Sequence, residues 1–181
     1  MPAQEDANKN RHLVFLYGTL KRNQPNNYQM TKKENGEARF ICKASTVETY
    51  PLVIQPEFGI PFLLGRNDAN IKEDHIKGEV YEVDNKMRTF LDDYERHPHI
   101  YTRTTVSVKV ENSEIEEYSP GDEISVETYI LFNFSDILFD YPLTNEYDDN
   151  TQEIKLDRNL QSLDEKDLEP LFDKLGLLHW K

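Results

Sequence analysis

Apolar positions along this chain alternate, or cluster in runs of four or five, far more often than they recur at helical spacing. Leu13-Val14-Phe15-Leu16-Tyr17 is β-branched and aromatic and stops at Gly18, the signature of a short buried strand. "KRNQPNNYQM" follows, where Pro25 and three asparagines predict a loop leading into a short helix. "ARFICKASTVET" reads as a strand, and "YPLVIQPEFGIPFLLGR" as two short strands joined by a turn at Pro56 to Gly59. Pro51 and Pro61 fall at strand starts or edges, where a missing N–H is tolerated. In "HIKGEVYEVD", Ile76, Gly78, Val80 and Glu82 alternate with Lys77, Glu79, Tyr81 and Val83, which predicts a strand covered in part on both faces.

The period changes in "DNKMRTFLDDYERHP". Met87, Phe90, Leu91 and Tyr94 lie at i, i+3, i+4 and i+7, the stripe of an amphipathic helix, with Asp84 or Asn85 to cap its start and Pro98 to end it. "YTRTTVSVKVEN" and "ISVETYILFNF", separated by a turn at Pro120-Gly121, form an antiparallel pair. Many short strands with few helices predict an α+β domain, a small mixed or antiparallel β-barrel flanked by a few helices. From Ser135 the pattern weakens: "NEYDDNTQE" reads as a solvated acidic linker. "LDEKDLEPLFDKLGLLHW" sets Leu168, Leu171, Phe172 and Leu175 on one helical face, with Pro170 expected to split it into a turn and a new helix start. The expected organisation is a flexible N-terminus over 1–11, one domain over 12–140, and an acidic linker with a helical extension packed on the domain over 141–181.

Composition narrows the partners. A length of 181 residues with 37% hydrophobic positions suits one domain. A formal charge of −13 argues against nonspecific contact with nucleic acid or anionic membrane. No apolar run approaches the roughly 20 residues that span a bilayer, and the first eleven are polar, so a cytoplasmic protein is expected. The single cysteine, Cys42, rules out an intramolecular disulfide and a thiolate metal cluster, and "FICKA" offers it no base; a small buried hydrophobe is the expectation. His75, His97 and His99 lack the spacing of a metal site and read as solvated loop histidines, so no metal is expected.

Gly18 raises a chemical question. Glycine after a strand permits a positive φ or the close approach of another group. It also leaves the amides of Gly18, Thr19 and Leu20 as donors for an anion or a developing oxyanion. An ordinary strand-to-loop turn is the competing reading at this point.

The segments "VFLYGTLKRNQPN", "YPLVIQPEFGIPFLL", "KGEVYEV" and "MRTFLDDYERHPHIYTRTTV", in this order and at these distances, resemble the γ-glutamylaminecyclotransferase branch of the γ-glutamylcyclotransferase-like family. The resemblance runs from about Leu13 to about Phe134. It implies a small barrel whose cavity is floored by Tyr17-Gly18-Thr19-Leu20, one essential glutamate at Glu95, and no metal or organic cofactor. It also implies release of 5-oxoproline and a free amine from a small-molecule γ-glutamyl substrate. Ile60 and Pro61 resemble a cavity-lining segment, and Tyr101 is placed to close the pocket or orient the carboxylate. Tyr17 either packs or donates through its hydroxyl, and Arg103 is placed to neutralise Asp92 or Asp93.

On residues alone Glu95 reads as an exposed carboxylate at a helix C-terminus. The resemblance makes it the acid and base, given a pKa raised by partial burial beside Tyr94 and Tyr101. The implied substrate is γ-glutamyl-ε-lysine, with γ-glutamyl amino acids and glutathione as alternatives; the protein is taken as a monomer. A non-catalytic binding module of the same fold is the competing class.

Overall fold

The computed structural model describes residues 10–66, 71–149 and 165–177. The expectations for residues 1–9, for the linker beyond 149 and for the Leu168 side chain lie outside these described residues.

Five strands close a barrel in the order β1 (Arg11–Leu16), β5 (Asp74–Asp84), β2 (Ala38–Tyr50), β6 (Tyr101–Ser113) and β7 (Glu123–Leu131). All neighbours are antiparallel except the seam, where β1 meets β7 in parallel at Val14 and Glu127. Closure removes both sheet edges. A second small sheet, β4 (Ile60–Leu63), β3 (Leu52–Gln55) and β8 (Leu143–Thr144), stands beside it. The expected α+β barrel is what forms.

Alternation explains how β1 serves two cores. Val14 and Leu16 face a cluster containing Met87, Leu91 and Tyr101, while Phe15 and Tyr17 join Ile41, Val80, Val108 and Val126. The strand is therefore buried on both sides, as its unbroken apolar run requires. Helix α2 (Asn85–Tyr94) buries Met87 and Leu91, and the Asp84 side chain caps it by accepting from the Met87 N–H. A single turn, α1 (Tyr28–Thr31), follows the amide-rich loop.

Two expectations change. Pro170 does not split the C-terminal helix: α3 (Glu165–Lys174) runs through it. An interior proline costs about 3 kcal/mol, whereas each large apolar side chain buried contributes about 1.5–3 kcal/mol. Leu171, Phe172, Leu175 and Leu177 are all buried in the first cluster, which outweighs the penalty. The helix is tied down further where the Ser135 N–H donates to the Leu175 carbonyl at 2.7 Å. The acidic stretch is also not solvated throughout. Tyr147 is 1% exposed, so an aromatic anchor draws the segment before it onto the barrel, and β8 pairs with β3 past residue 140.

Candidate active site

Strand β1 delivers the chain to a cavity of about 120 Å³ lined by Phe15 to Leu20, Asn26, Ile60, Pro61, Tyr94, Glu95, Tyr101 and Tyr129. All eight residues singled out from the sequence, Tyr17, Gly18, Thr19, Leu20, Ile60, Pro61, Glu95 and Tyr101, meet around it. Gly18 is not in the left-handed region. It is glycine because a Cβ there would lie 2.7 Å from the Pro61 Cγ, so close approach, not a positive φ, is the reason.

The loop separates its donors from its acceptors. The Gly18 carbonyl accepts from the Lys21 N–H at 3.2 Å, the Thr19 carbonyl from the Asn26 N–H at 2.9 Å, and the Leu20 carbonyl from the Asn27 side-chain amide at 2.8 Å. Among the described residues no protein acceptor takes the N–H groups of Gly18, Thr19 or Leu20. Lys21, Asn26 and Asn27 thus occupy the three carbonyls, while the amides belong to residues that line the cavity; successive free amides of this kind are able to bind an anion.

Glu95 is delivered by the end of α2. Arg96 adopts φ 52°, the His97 N–H donates to the Asp92 carbonyl at 2.8 Å and the Arg96 N–H to the Asp93 carbonyl at 3.1 Å. That is a Schellman motif with arginine in the position glycine usually fills. The chain reverses abruptly, and Glu95 becomes a wall of the cavity instead of an exposed carboxylate.

Burial pushes the Glu95 carboxyl up to about 7. Four tyrosines surround it closely enough for its charge to raise their own pKa values, Tyr17, Tyr94, Tyr101 and Tyr129, with burial the larger cause in each. Their hydroxyls are committed elsewhere. Tyr17 donates to the Tyr129 carbonyl at 2.7 Å, Tyr101 to the Pro61 carbonyl at 3.1 Å, and Tyr129 to Asp92 at 2.8 Å, while Tyr94 is paired with Thr19. Glu95 is half-buried as a residue, and among the described residues no donor reaches its carboxyl to offset the desolvation, so its proton is held to near neutrality. Tyr17 both packs and donates, though to the scaffold; Tyr101 stacks on Phe62, with ring centroids 6.0 Å apart.

Behind the cavity, Asp92 joins the Tyr129 hydroxyl to Arg103, which also approaches Glu127 at 3.5 Å; Glu127 in turn holds Arg88. Of the two aspartates open to Arg103, Asp92 is the partner. The network pins α2 to β6 and β7 one turn before Glu95. The sequence did not single out Asn26 or Tyr129: Tyr129 comes from β7, and only barrel closure brings it here. Tyr94 was signalled only by adjacency to Glu95.

The remaining titratable candidates are occupied. His97 Nδ1 accepts the Arg103 N–H at 3.1 Å and His75 Nδ1 lies 2.9 Å from the Thr46 carbonyl. Among the described residues no group of three His, Cys, Asp or Glu could hold a metal, and no helix is long and apolar enough to cross a membrane. Cys42 is fully buried, and burial pushes its thiol up to about 11.

Comparison with known proteins matches residues 14–149 to the family described as γ-glutamyl cyclotransferase, AIG2-like. γ-Glutamylaminecyclotransferase C of Danio rerio is 38% identical over 77% of this chain and 88% of its own. γ-Glutamylaminecyclotransferase of Mus musculus is 39% identical over 75% of this chain and 88% of its own. The crystal structure of an AIG2-like protein from Mus musculus superposes with a TM-score of 0.68 at 37% identity, covering 77% of this chain and 89% of that one. Fold and sequence agree: the chain belongs to the AIG2-like γ-glutamyl cyclotransferase family.

Proposed function

We propose that this protein is a γ-glutamylaminecyclotransferase, converting γ-glutamyl amines such as γ-glutamyl-ε-lysine into 5-oxoproline and the free amine. The observation that carries this reading is Glu95, whose carboxyl is pushed up to about 7, in the wall of the same small cavity as the amides of Gly18, Thr19 and Leu20, which no protein acceptor takes among the described residues.

The reaction is an intramolecular aminolysis. Glu95 takes a proton from the substrate ammonium, and the freed amine attacks its own γ-carbonyl. A C–N bond closes the five-membered lactam, and the γ-carbonyl oxygen becomes negative. The amides of Gly18, Thr19 and Leu20 supply neutral donors to that oxygen or to the α-carboxylate. Collapse breaks the original amide bond: Glu95 returns its proton to the departing nitrogen, the ring nitrogen gives up its second proton, and the amine leaves as the ammonium. One carboxyl near pH 7 suits both transfers, because proton-transfer efficiency is greatest when the pKa lies near the working pH. Protons and electrons balance without a redox or metal partner, so we take the enzyme to need no cofactor.

Cavity size supports the division of the substrate. About 120 Å³ is well below the ~300–1,000 Å³ of sites for drug-sized ligands. It suits the glutamyl moiety, with the leaving amine projecting towards the opening. Ile60 and Pro61 supply apolar wall, Tyr17 and Tyr101 hold that wall in place, and the protein is taken to act as a cytoplasmic monomer.

The test is 5-oxoproline release from γ-glutamyl-ε-lysine, γ-glutamyl-alanine and glutathione by wild type and Glu95→Gln. Turnover of the isopeptide that is lost in folded Glu95→Gln is the expected result. No release from any of the three by folded wild type leaves a binding module of the same fold.

A further inference from the structure

Lys21 is the one lysine in the described core: 6% exposed, with its Nζ donating at 2.7 Å to the main-chain carbonyl of Tyr147, 126 residues away. Burying an ammonium is expensive unless it is paired. Burial lowers the Lys21 pKa, and the charges of Glu146, Glu79 and Asp148 oppose that fall.

The contact is one of several between the same two segments. The Gln24 side chain donates to Asp148 at 3.3 Å and accepts from the Asp149 N–H at 2.9 Å. On the barrel side the Arg22 N–H donates to buried Glu79 at 2.9 Å. Residues 146–149 therefore form a strap hydrogen-bonded to Lys21 and Gln24, and Lys21 directly follows Gly18, Thr19 and Leu20 in the chain. The strap is itself fixed, because Tyr147 is among the largest fully buried side chains.

We infer that Lys21 is a positioning residue, which locks the amide row through the strap at residues 146–149 and so aims donors it does not itself supply. This rests on the proposed role of those amides in the cyclotransferase reaction. Backbone donors act only if held where charge develops, and a misplacement of about 1 Å costs on the order of 10²-fold. The hydrogen bonds inside the loop fix its own shape, and the buried charge-assisted tether from Lys21 fixes that shape against the rest of the domain.

The experiment measures kcat and KM for γ-glutamyl-ε-lysine, with melting temperature, in wild type, Lys21→Met, Lys21→Arg and Gln24→Ala, beside Glu95→Gln. Lys21→Met is expected to lose about 10- to 100-fold in kcat per folded molecule. Lys21→Arg recovers most of that loss, and Gln24→Ala loses severalfold at near wild-type melting temperature. A lysine of structural importance alone would lower the melting temperature and leave kcat per folded molecule intact. Kcat and KM within twofold of wild type in both folded Lys21→Met and Gln24→Ala overturns the inference. If Lys21→Met does not fold, Gln24→Ala decides by the same criterion. Wild type without turnover, or Glu95→Gln with full turnover, removes the underlying reading and the inference with it, a pattern distinct from the failure of the tether alone.

Discussion

The Pro61 ring occupies the space that a side chain on Gly18 would need, 2.7 Å from the position of its Cβ. Two segments 43 positions apart in sequence are thereby pressed together, β4 against the end of β1, and the cavity floor lies between them. Pro61 is rigid, and its carbonyl is already held by the Tyr101 hydroxyl.

Gly18→Ala must therefore displace the amide row, because neither side can yield by a rotamer change. Overpacking of this kind costs about 1–3 kcal/mol. The activity cost is larger, about 10- to 100-fold in kcat/KM, since displaced donors miss the developing charge. Denaturant unfolding and 5-oxoproline release measured on the same preparation check both figures; an active Gly18→Ala enzyme would mean the amides are not used.

Glu95 couples activity and stability in opposite directions. As the base it must be ionised, so kcat/KM falls with decreasing pH through about 7. For stability, the folded protein holds this proton more tightly than the unfolded chain, whose carboxyl has the usual 4.5. Stability is therefore full below that value and is lost as pH rises from 4.5 to about 7. The shift corresponds to about 3 kcal/mol. Glu95→Gln cannot titrate, so its stability relative to wild type should improve by about that amount between pH 4 and pH 8. Urea unfolding of both proteins at the two pH values measures it, and a pH-independent difference would place the Glu95 carboxyl in water.

Much of this was legible from local signals. β1, the β3–β4 turn and α2 each carried their period and punctuation in the sequence, whereas "YGTL" and "DDYER" pointed to the cavity residues only through the family resemblance, since on residues alone Glu95 reads as an exposed carboxylate. What was hidden is contact between distant segments. Nothing near Tyr129 announces that its hydroxyl ends at Asp92 and its carbonyl at Tyr17. Nothing in the acidic run around Tyr147 marks it as an anchor, because charge density masks a single buried ring. Pro170 misled for a related reason: its local cost is real, but the burial that offsets it comes from tertiary packing.

Tyr129→Phe isolates the support behind the acid/base group. The ring stays in the cavity wall and only the 2.8 Å bond to Asp92 is lost, while Asp92 keeps Arg103. The stability cost is about 1 kcal/mol, less than the ~1.5–3 kcal/mol of an unreplaced bond to a charged group. Because α2 is loosened one turn from Glu95, kcat falls about 3- to 10-fold while KM holds. Steady-state kinetics decide: a change confined to KM would put the Tyr129 hydroxyl in substrate binding instead.

Cys42 separates the proposed chemistry from a covalent route. A γ-glutamyl-thioester pathway would need an accessible thiolate, whereas Cys42 is fully buried and its thiol is pushed up to about 11 by burial alone. At pH 8 almost none of it is ionised, and it packs with Ile41, Ala44 and Val110 in the second core cluster. Native protein should therefore resist iodoacetamide at pH 8 and become labelled on unfolding. Cys42→Ala should keep kcat within about twofold and lose about 1–2 kcal/mol of stability to the small void it leaves. Intact activity after that substitution leaves the substrate's own amine as the nucleophile; a dead but folded Cys42→Ala would require an acyl-enzyme and a different role for Glu95.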